Sequence, residues 1–236
     1  SLKHFVSKEA LNIDGFGKKI VEKFWELNFI KLPPDIFNLD FEKVKKLDGW
    51  GKLSASNLKY SIEKSKKISL DRFIYALGIR HIGQETAKLL SWHLKNVGNF
   101  CGLSKSNNIE TLSNIDGIGE TQIKSIKTFF LNKINISVLE NLSKIMKIST
   151  SLPSKIDGIF KNKTFMFTGK LKDVSRAEAK SLVEQNSGKI ISNVNKKLDY
   201  LVTGEKPTTK KVKKAKELKI KIITQNELSK MLNKTS

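Results

Sequence analysis

Apolar residues recur at helical spacing through most of the first 148 positions. A short helix is expected from Ser7, and a longer one runs to about Leu27 with Ile20, Val21, Phe24 and Trp25 on one apolar stripe directed at the core. Pro33-Pro34 interrupts the pattern, since proline lacks a backbone donor, and residues 35–47 read as one or two short helices. Another helix extends from Lys52 to about Lys66, with Ala55, Leu58 and Ile62 facing inward. Leu70, Phe73, Ile74 and Leu77 mark a further helix, and Ala87, Leu89, Leu90 and Leu94 the next. Residues 96–108, with Gly98, Gly102 and several Ser and Asn, read as a loop. One helix then passes through Phe129, Phe130 and Leu131, and a last amphipathic one spans about Ser137 to Met146.

Past the polar stretch Ser149-Thr150-Ser151-Leu152-Pro153-Ser154 the pattern turns to alternating strands and helices. Residues 164–168, 189–192, 200–202 and 220–223 read as strands. Ser175-Arg176-Ala177-Glu178 has the form of a capping box that opens a helix carrying Ala179, Leu182 and Val183 as far as Gly188. A very basic helix covers residues 208–218, and Thr224-Gln225-Asn226-Glu227 caps a final helix ending at Leu232. The order βαββαβα implies a small α/β sandwich on a four-stranded parallel sheet. The expected organisation is a mainly α domain over 1–148, a linker over 149–157 and an α/β domain over 158–236.

A repeat lies under the helical half. Ile13-Asp14-Gly15-Phe16-Gly17 returns as Leu47-Asp48-Gly49-Trp50-Gly51 and Ile115-Asp116-Gly117-Ile118-Gly119, and more loosely as Ile79-Arg80-His81-Ile82-Gly83. The closing glycines lie 34, 32 and 36 residues apart, and a small or apolar residue follows each four positions later. An apolar residue ends one helix, a tight turn calls on glycine for φ > 0, and a second helix begins at once. The first turn of that helix leaves N–H groups unpaired at the positive end of the helix dipole, which suits a phosphate oxygen.

Charge agrees with this reading. The 236 residues carry 44 Lys and Arg against 23 Asp and Glu, a formal net charge of +21, which points to a polyanionic partner. Arg72, Arg80 and Arg176 are the only arginines, so the charge suits phosphates better than guanine edges. Part of the lysine excess also fits a compositional bias toward Lys, Ile and Asn. Cys101 is the sole cysteine, which excludes an internal disulfide and a Cys-based zinc site. No apolar run approaches a membrane span, so a soluble protein without a membrane partner is expected, and the lone cysteine fits a reducing cytoplasm; a nucleoid-associated monomer is the further expectation. The opening at Ser1 reads as mid-sequence, and a fragment is expected.

The glycine turns resemble the helix-hairpin-helix motif, a binder of the DNA backbone without sequence preference. His4-Phe5-Val6-Ser7, residues 10–17, Ser54-Ala55-Ser56-Asn57-Leu58 with Ile62-Glu63-Lys64-Ser65-Lys66, and Leu77-Gly78-Ile79-Arg80-His81-Ile82-Gly83 together resemble the C-terminal half of bacterial NAD-dependent DNA ligases. Phe167-Thr168-Gly169, Arg176, Gly188 and Tyr200-Leu201-Val202 resemble the BRCT domain that closes those proteins. The resemblance implies nick sealing in replication and repair: self-adenylation with NAD, transfer of AMP to the 5′-phosphate, and joining to the 3′-hydroxyl. It places the adenylation domain, the NAD-recognition domain and a four-cysteine zinc finger upstream of Ser1. NAD, Mg and Zn are therefore expected there, with no cofactor in this stretch and no catalysis by it alone. The implied partners are duplex DNA, nicked DNA and the N-terminal ligase domains.

The expected DNA contacts are the backbone N–H groups of Gly15, Gly17, Gly49, Gly51, Gly117 and Gly119, with Lys18, Lys19, Lys52, Ser54, Thr121 and Lys124 adding charge and hydrogen bonds. Gly83 belongs to the same set. Hairpin three has His81 where the sister copies have glycine, so either its turn differs or it meets DNA less closely, with a mainly structural role favoured. Thr168 and Gly169 with one of Lys210, Lys211, Lys213 or Lys214, Lys210 and Lys213 foremost, would make a phosphate pocket of the BRCT-like part. Its charge of +12 over residues 153–236, from 20 basic and 8 acidic residues, favours DNA over peptide. So does the absence of the family's usual tryptophan in the last helix and of a glycine near Thr208-Thr209.

Two matches to K-x-D-G, Lys46-Leu47-Asp48-Gly49 and Lys155-Ile156-Asp157-Gly158, imitate a nucleotidyltransferase motif. Neither has the other nucleotide-binding segments that depress a lysine pKa, so no catalytic residue is assigned. His4, His81 and His93 form no metal spacing. A non-catalytic repair scaffold or nuclease-subunit module, and a phosphopeptide adaptor, are the alternatives.

Overall fold

The computed structural model describes residues 1–105 and 107–233. It divides into two compact units, residues 1–151 and 152–236. The first unit is built from helices α1 (Leu2–Phe5), α2 (Lys18–Glu26), α3 (Phe41–Val44), α4 (Lys52–Ser65), α5 (Leu70–Ala76), α6 (Gln84–Leu94), α7 (Val97–Gly102), α8 (Glu120–Leu131) and α9 (Lys133–Ile145). One continuous core runs from Phe5 to Met146, with Phe24, Ile36, Phe73, Leu90, Phe100 and Leu142 completely enclosed.

Several local expectations are revised. Residues 7–12 form turns rather than a helix: Asn12 sits at φ +53° and its N–H donates back to the Ser7 carbonyl. Trp25 lies at the edge of the α2 stripe and is half exposed, with the Lys31 ammonium 3.9 Å from its ring centroid. The supposed loop after Asn96 is a capped helix, α7, whose first-turn Asn99 N–H donates to the Asn96 side chain, followed by 3-10 turns at Leu103–Lys105 and Asn107–Asn114. Helix α9 begins four residues early, because Asn132 accepts from the Ile134 and Asn135 N–H groups and caps it.

A two-stranded parallel ladder closes this unit, pairing β1 (Lys67–Ser69) with β2 (Lys147–Ser149), the same Lys-Ile-Ser tripeptide on both sides. Ser151 is buried and bonded through its hydroxyl to Ser91 and to the Asp71 N–H. The expected linker over 149–157 therefore narrows to residues 152–154, since Lys155 N–H already bonds the Gln185 carbonyl of the second unit.

That unit is the anticipated βαββαβα array: β3 (Thr164–Thr168), α10 (Arg176–Gln185), β4 (Lys189–Ile190), β5 (Tyr200–Thr203), α11 (Thr209–Glu217), β6 (Lys221–Thr224) and α12 (Gln225–Asn233). The strands lie parallel in the order β4-β3-β5-β6. Side chains alternate across the sheet as strand geometry requires. Phe165, Phe167 and Val202 meet Ala179 and Val183 of α10 and Leu228 of α12, whereas Met166 and Leu201 meet Ala215 of α11. Leu182 of α10 is left largely exposed rather than packed inside.

Candidate nucleic-acid interface

All four glycine corners are turns of one geometry. In each, an N–H donates to the carbonyl three residues back: Phe16 to Ile13, Trp50 to Leu47, Ile82 to Ile79 and Ile118 to Ile115, at 2.9 to 3.2 Å. The third residue of each corner is left-handed, with φ +77° at Gly15, +77° at Gly49, +62° at His81 and +89° at Gly117. The turn of hairpin three therefore does not differ. Histidine is among the side chains that tolerate this region, at some conformational cost.

The second glycine has a different job from the one its spacing suggests. Gly17, Gly51, Gly83 and Gly119 have extended backbones and serve as the N-caps of α2, α4, α6 and α8, each accepting from the N–H four residues on. None needs positive φ. A Cβ placed on Gly17, Gly51 or Gly83 would meet nothing within 4 Å. Ser, Asp and Asn are favoured at an N-cap because their side chains satisfy an orphan amide, yet glycine stands at all four. Nothing in the protein's own packing asks for it at the first three. The two central residues and the closing glycine of each corner are exposed.

Lys18, Lys19, Lys52 and Thr121 lie exposed on the first turns of these helices, Lys124 lies exposed at the start of the second turn of α8, and Ser54 is half-buried. Two of the expected backbone donors are already engaged. Gly51 N–H donates to the Ser54 hydroxyl at 2.9 Å, which donates back to the Gly51 carbonyl, and Gly119 N–H donates to Gln122 Oε1 at 3.1 Å. In α2 the Ile20 N–H donates to the Gly17 carbonyl at 3.0 Å; the other first-turn amides, which an α-helix leaves without an intrahelical acceptor, are the donors open to an anion.

Residues that sequence reasoning did not single out hold hairpins one and two together. Lys23 of α2 donates to the Asp48 carbonyl at 3.2 Å, while Lys64 of α4, nearly buried, reaches Asp14 at 3.4 Å. Each hairpin's helix thus grips the tip of the other. In the second pair the contact is apolar: Leu89, at the position of Lys23, lies where a Cβ on Gly117 would touch it at 2.9 Å. The signal was present as equal offsets, since Lys23 and Leu89 each stand six residues after the closing glycine.

In the second unit the proposed phosphate pocket is differently occupied. Thr168 is buried, and its hydroxyl oxygen accepts from the Thr208 N–H at the start of α11. Gly169 is left-handed, and a Cβ there would lie 2.6 Å from the Glu205 carbonyl oxygen, beside the Lys170 and Glu205 bridge. Both residues thus have structural work. Lys210, Lys211, Lys213 and Lys214 lie on α11, with Lys210, Lys213 and Lys214 exposed.

Each K-x-D-G match has a structural place. Lys46-Leu47-Asp48-Gly49 is hairpin two itself. Gly158 backs onto Asn186, with a would-be Cβ 2.2 Å from its carbonyl oxygen, and its N–H donates to Ser187, so the second match is a clip onto the end of α10. His4 is tied to the Tyr75 carbonyl at 2.7 Å. Among the described residues no cluster of His, Cys, Asp and Glu could hold a metal ion.

Family comparisons agree with this division. The helix-hairpin-helix motif matches residues 72–139, and the BRCA1 C Terminus (BRCT) domain matches residues 155–232. A protein named DNA ligase from Pelagibacter ubique (strain HTCC1062) is 65% identical over 234 residues, covering 99% of this chain and 35% of that protein. DNA ligases of Rickettsia bellii (strain RML369-C) and Wolbachia pipientis subsp. Culex pipiens (strain wPip) are 42% and 41% identical, with 96% and 98% of this chain covered. The chain corresponds to the C-terminal portion of the DNA ligases. It spans about a third of the length of these ligase relatives. Within this ligase portion, the first matched region holds hairpins three and four, and the second coincides with the parallel-sheet unit. No helix among the described residues is long and apolar enough to cross a membrane.

Proposed function

We propose that this chain is the part of an NAD-dependent, nick-sealing DNA ligase that grips duplex DNA by its backbone, without catalysing the joining itself. The observation that carries the reading is the set of exposed closing glycines, three of which no internal contact requires to be glycine. A phosphodiester approaching a helix start needs that bare backbone, and the unpaired first-turn amides, with lysines beside them, supply donors and charge. Such contacts position a duplex but carry no base information. NAD, Mg and Zn belong, on this reading, to ligase portions outside the described residues, and the partners are nicked duplex and those portions. Replication and repair in the bacterial cytoplasm follow from the same relationship. The buried Thr168 hydroxyl weighs against a phosphopeptide adaptor.

The test is competition binding to unrelated duplexes of equal length, with hydroxyl-radical footprinting on nicked and intact versions. Affinities should spread far less than the roughly thousandfold or more that separates specific from non-specific sites in a sequence-reading protein. Protection should follow the minor groove. A single strongly preferred sequence, or no duplex binding at low salt, would sink the proposal.

A further inference from the structure

Hairpin three departs from its sisters in the chemistry of its tip. The two central turn residues are Asp14-Gly15, Asp48-Gly49 and Asp116-Gly117 elsewhere, and Arg80-His81 here, so an acid is exchanged for a base on an otherwise identical turn. His81 is held at φ +62°, where glycine would sit without strain, and its exposed ring makes no hydrogen bond or ring contact among the described residues.

Arg80 is likewise exposed and has no hydrogen-bond or ion-pair partner among the described residues. The other two arginines are engaged: Arg72 is buried and donates to the Ala10 carbonyl, and Arg176 donates to the Gly169 carbonyl at 2.6 Å. The braced alternative is also absent. Asp14 faces Lys64, thirteen residues after Gly51, but the residue thirteen after Gly119 is Asn132, whose side chain caps α9. The hairpin three tip thus presents a guanidinium that no described residue of its own unit holds.

A guanidinium is more weakly hydrated than an ammonium and is drawn to the enhanced negative potential of narrow, A·T-rich minor grooves. We infer that Arg80, with His81 beside it, is a side-chain probe of minor-groove width, giving the protein a preference for narrow-groove duplexes at positions where it reads no base. The inference rests on the duplex-binding reading above and adds a shape preference to it.

Fluorescence anisotropy on the 236-residue chain, with an A-tract duplex and an alternating G·C duplex of equal length at one ionic strength, tests it. The A-tract duplex should bind about fivefold more tightly. Arg80→Lys, which keeps the charge, should reduce that ratio to below about twofold while leaving G·C affinity nearly unchanged. Arg80→Asp, the residue of the sister copies, should weaken both. Equal wild-type affinities, or a preference that survives Arg80→Lys, would overturn the inference and leave duplex binding standing. Failure to bind either duplex would overturn the duplex reading as well.

Discussion

At the residue scale the glycines separate into two physical classes. Gly15, Gly49 and Gly117 are favoured by backbone conformation, so Gly49→Ala should cost about 1–2 kcal/mol of stability, although a Cβ there meets open space. Gly17 and Gly51 are required by nothing internal. Serine is among the best N-cap residues, so Gly17→Ser and Gly51→Ser should leave the melting temperature unchanged or slightly raised. The same variants should weaken duplex binding markedly, because the new side chain occupies the space a phosphate would enter. Loss of stability in step with loss of binding would assign these glycines to the fold instead. Cys101 illustrates the opposite case of a reactive residue type whose reactivity is lowered by its surroundings. Burial, reinforced by Glu140, pushes its thiol pKa above the ordinary value. The thiolate is the nucleophile and a raised pKa leaves less of it at a given pH. Alkylation at a mildly alkaline pH should therefore run slower than for a free cysteine and accelerate only on raising the pH further.

Elements were legible in the sequence where a single periodicity governed them. The helices after each glycine corner and the four strands of the sheet follow from apolar spacing, because each buries one face against one core. Misreadings fall where a non-local contact decides. Three residues of Lys-Ile-Ser carry no period, and only pairing with their distant duplicate makes β1 and β2 strands, although the repeated tripeptide was a visible clue. Trp25 and Leu182 have core chemistry at core spacing, yet both sit at stripe edges and stay exposed, Trp25 with the Lys31 ammonium over its ring. The hairpin tips were legible as four like turns, whereas the cross-braces through Lys23 and Lys64 were not, since an isolated lysine carries no signal of its partner. The K-x-D-G at residues 155–158 shows how an element's packing explains a motif. Gly158 lies against the end of α10, so Gly158→Ala should destabilise the second unit by about 1–3 kcal/mol through overpacking. Thermal unfolding of the intact chain would then show the transition of that unit lowered and that of the first unit unmoved.

At the scale of the whole molecule the charge and the repeat make a joint quantitative claim. A net charge of +21 alone predicts only weak, diffuse attraction to any polyanion, screened over a Debye length of about 8–10 Å. Four corners that each engage one or two phosphates predict something narrower, a fixed number of counterions released per binding event. With about −0.9 per phosphate neutralised, log affinity against log salt should be linear with a slope of roughly −4 to −7. Diffuse attraction through the lysines of both units would give a slope that grows with every basic residue in reach, so the two accounts differ in how they respond to substitution. Replacing Lys210, Lys213 and Lys214 of α11 together with Gln should change the slope little if the hairpins hold the duplex. Replacing Lys18, Lys19, Lys52 and Lys124, the lysines beside the corners, should flatten it by about one unit for each phosphate no longer neutralised. Titrating duplex binding across a salt series for these two variants decides the matter. A slope that responds to α11 and not to the corner lysines would move the grip on DNA from the hairpins to the parallel-sheet unit.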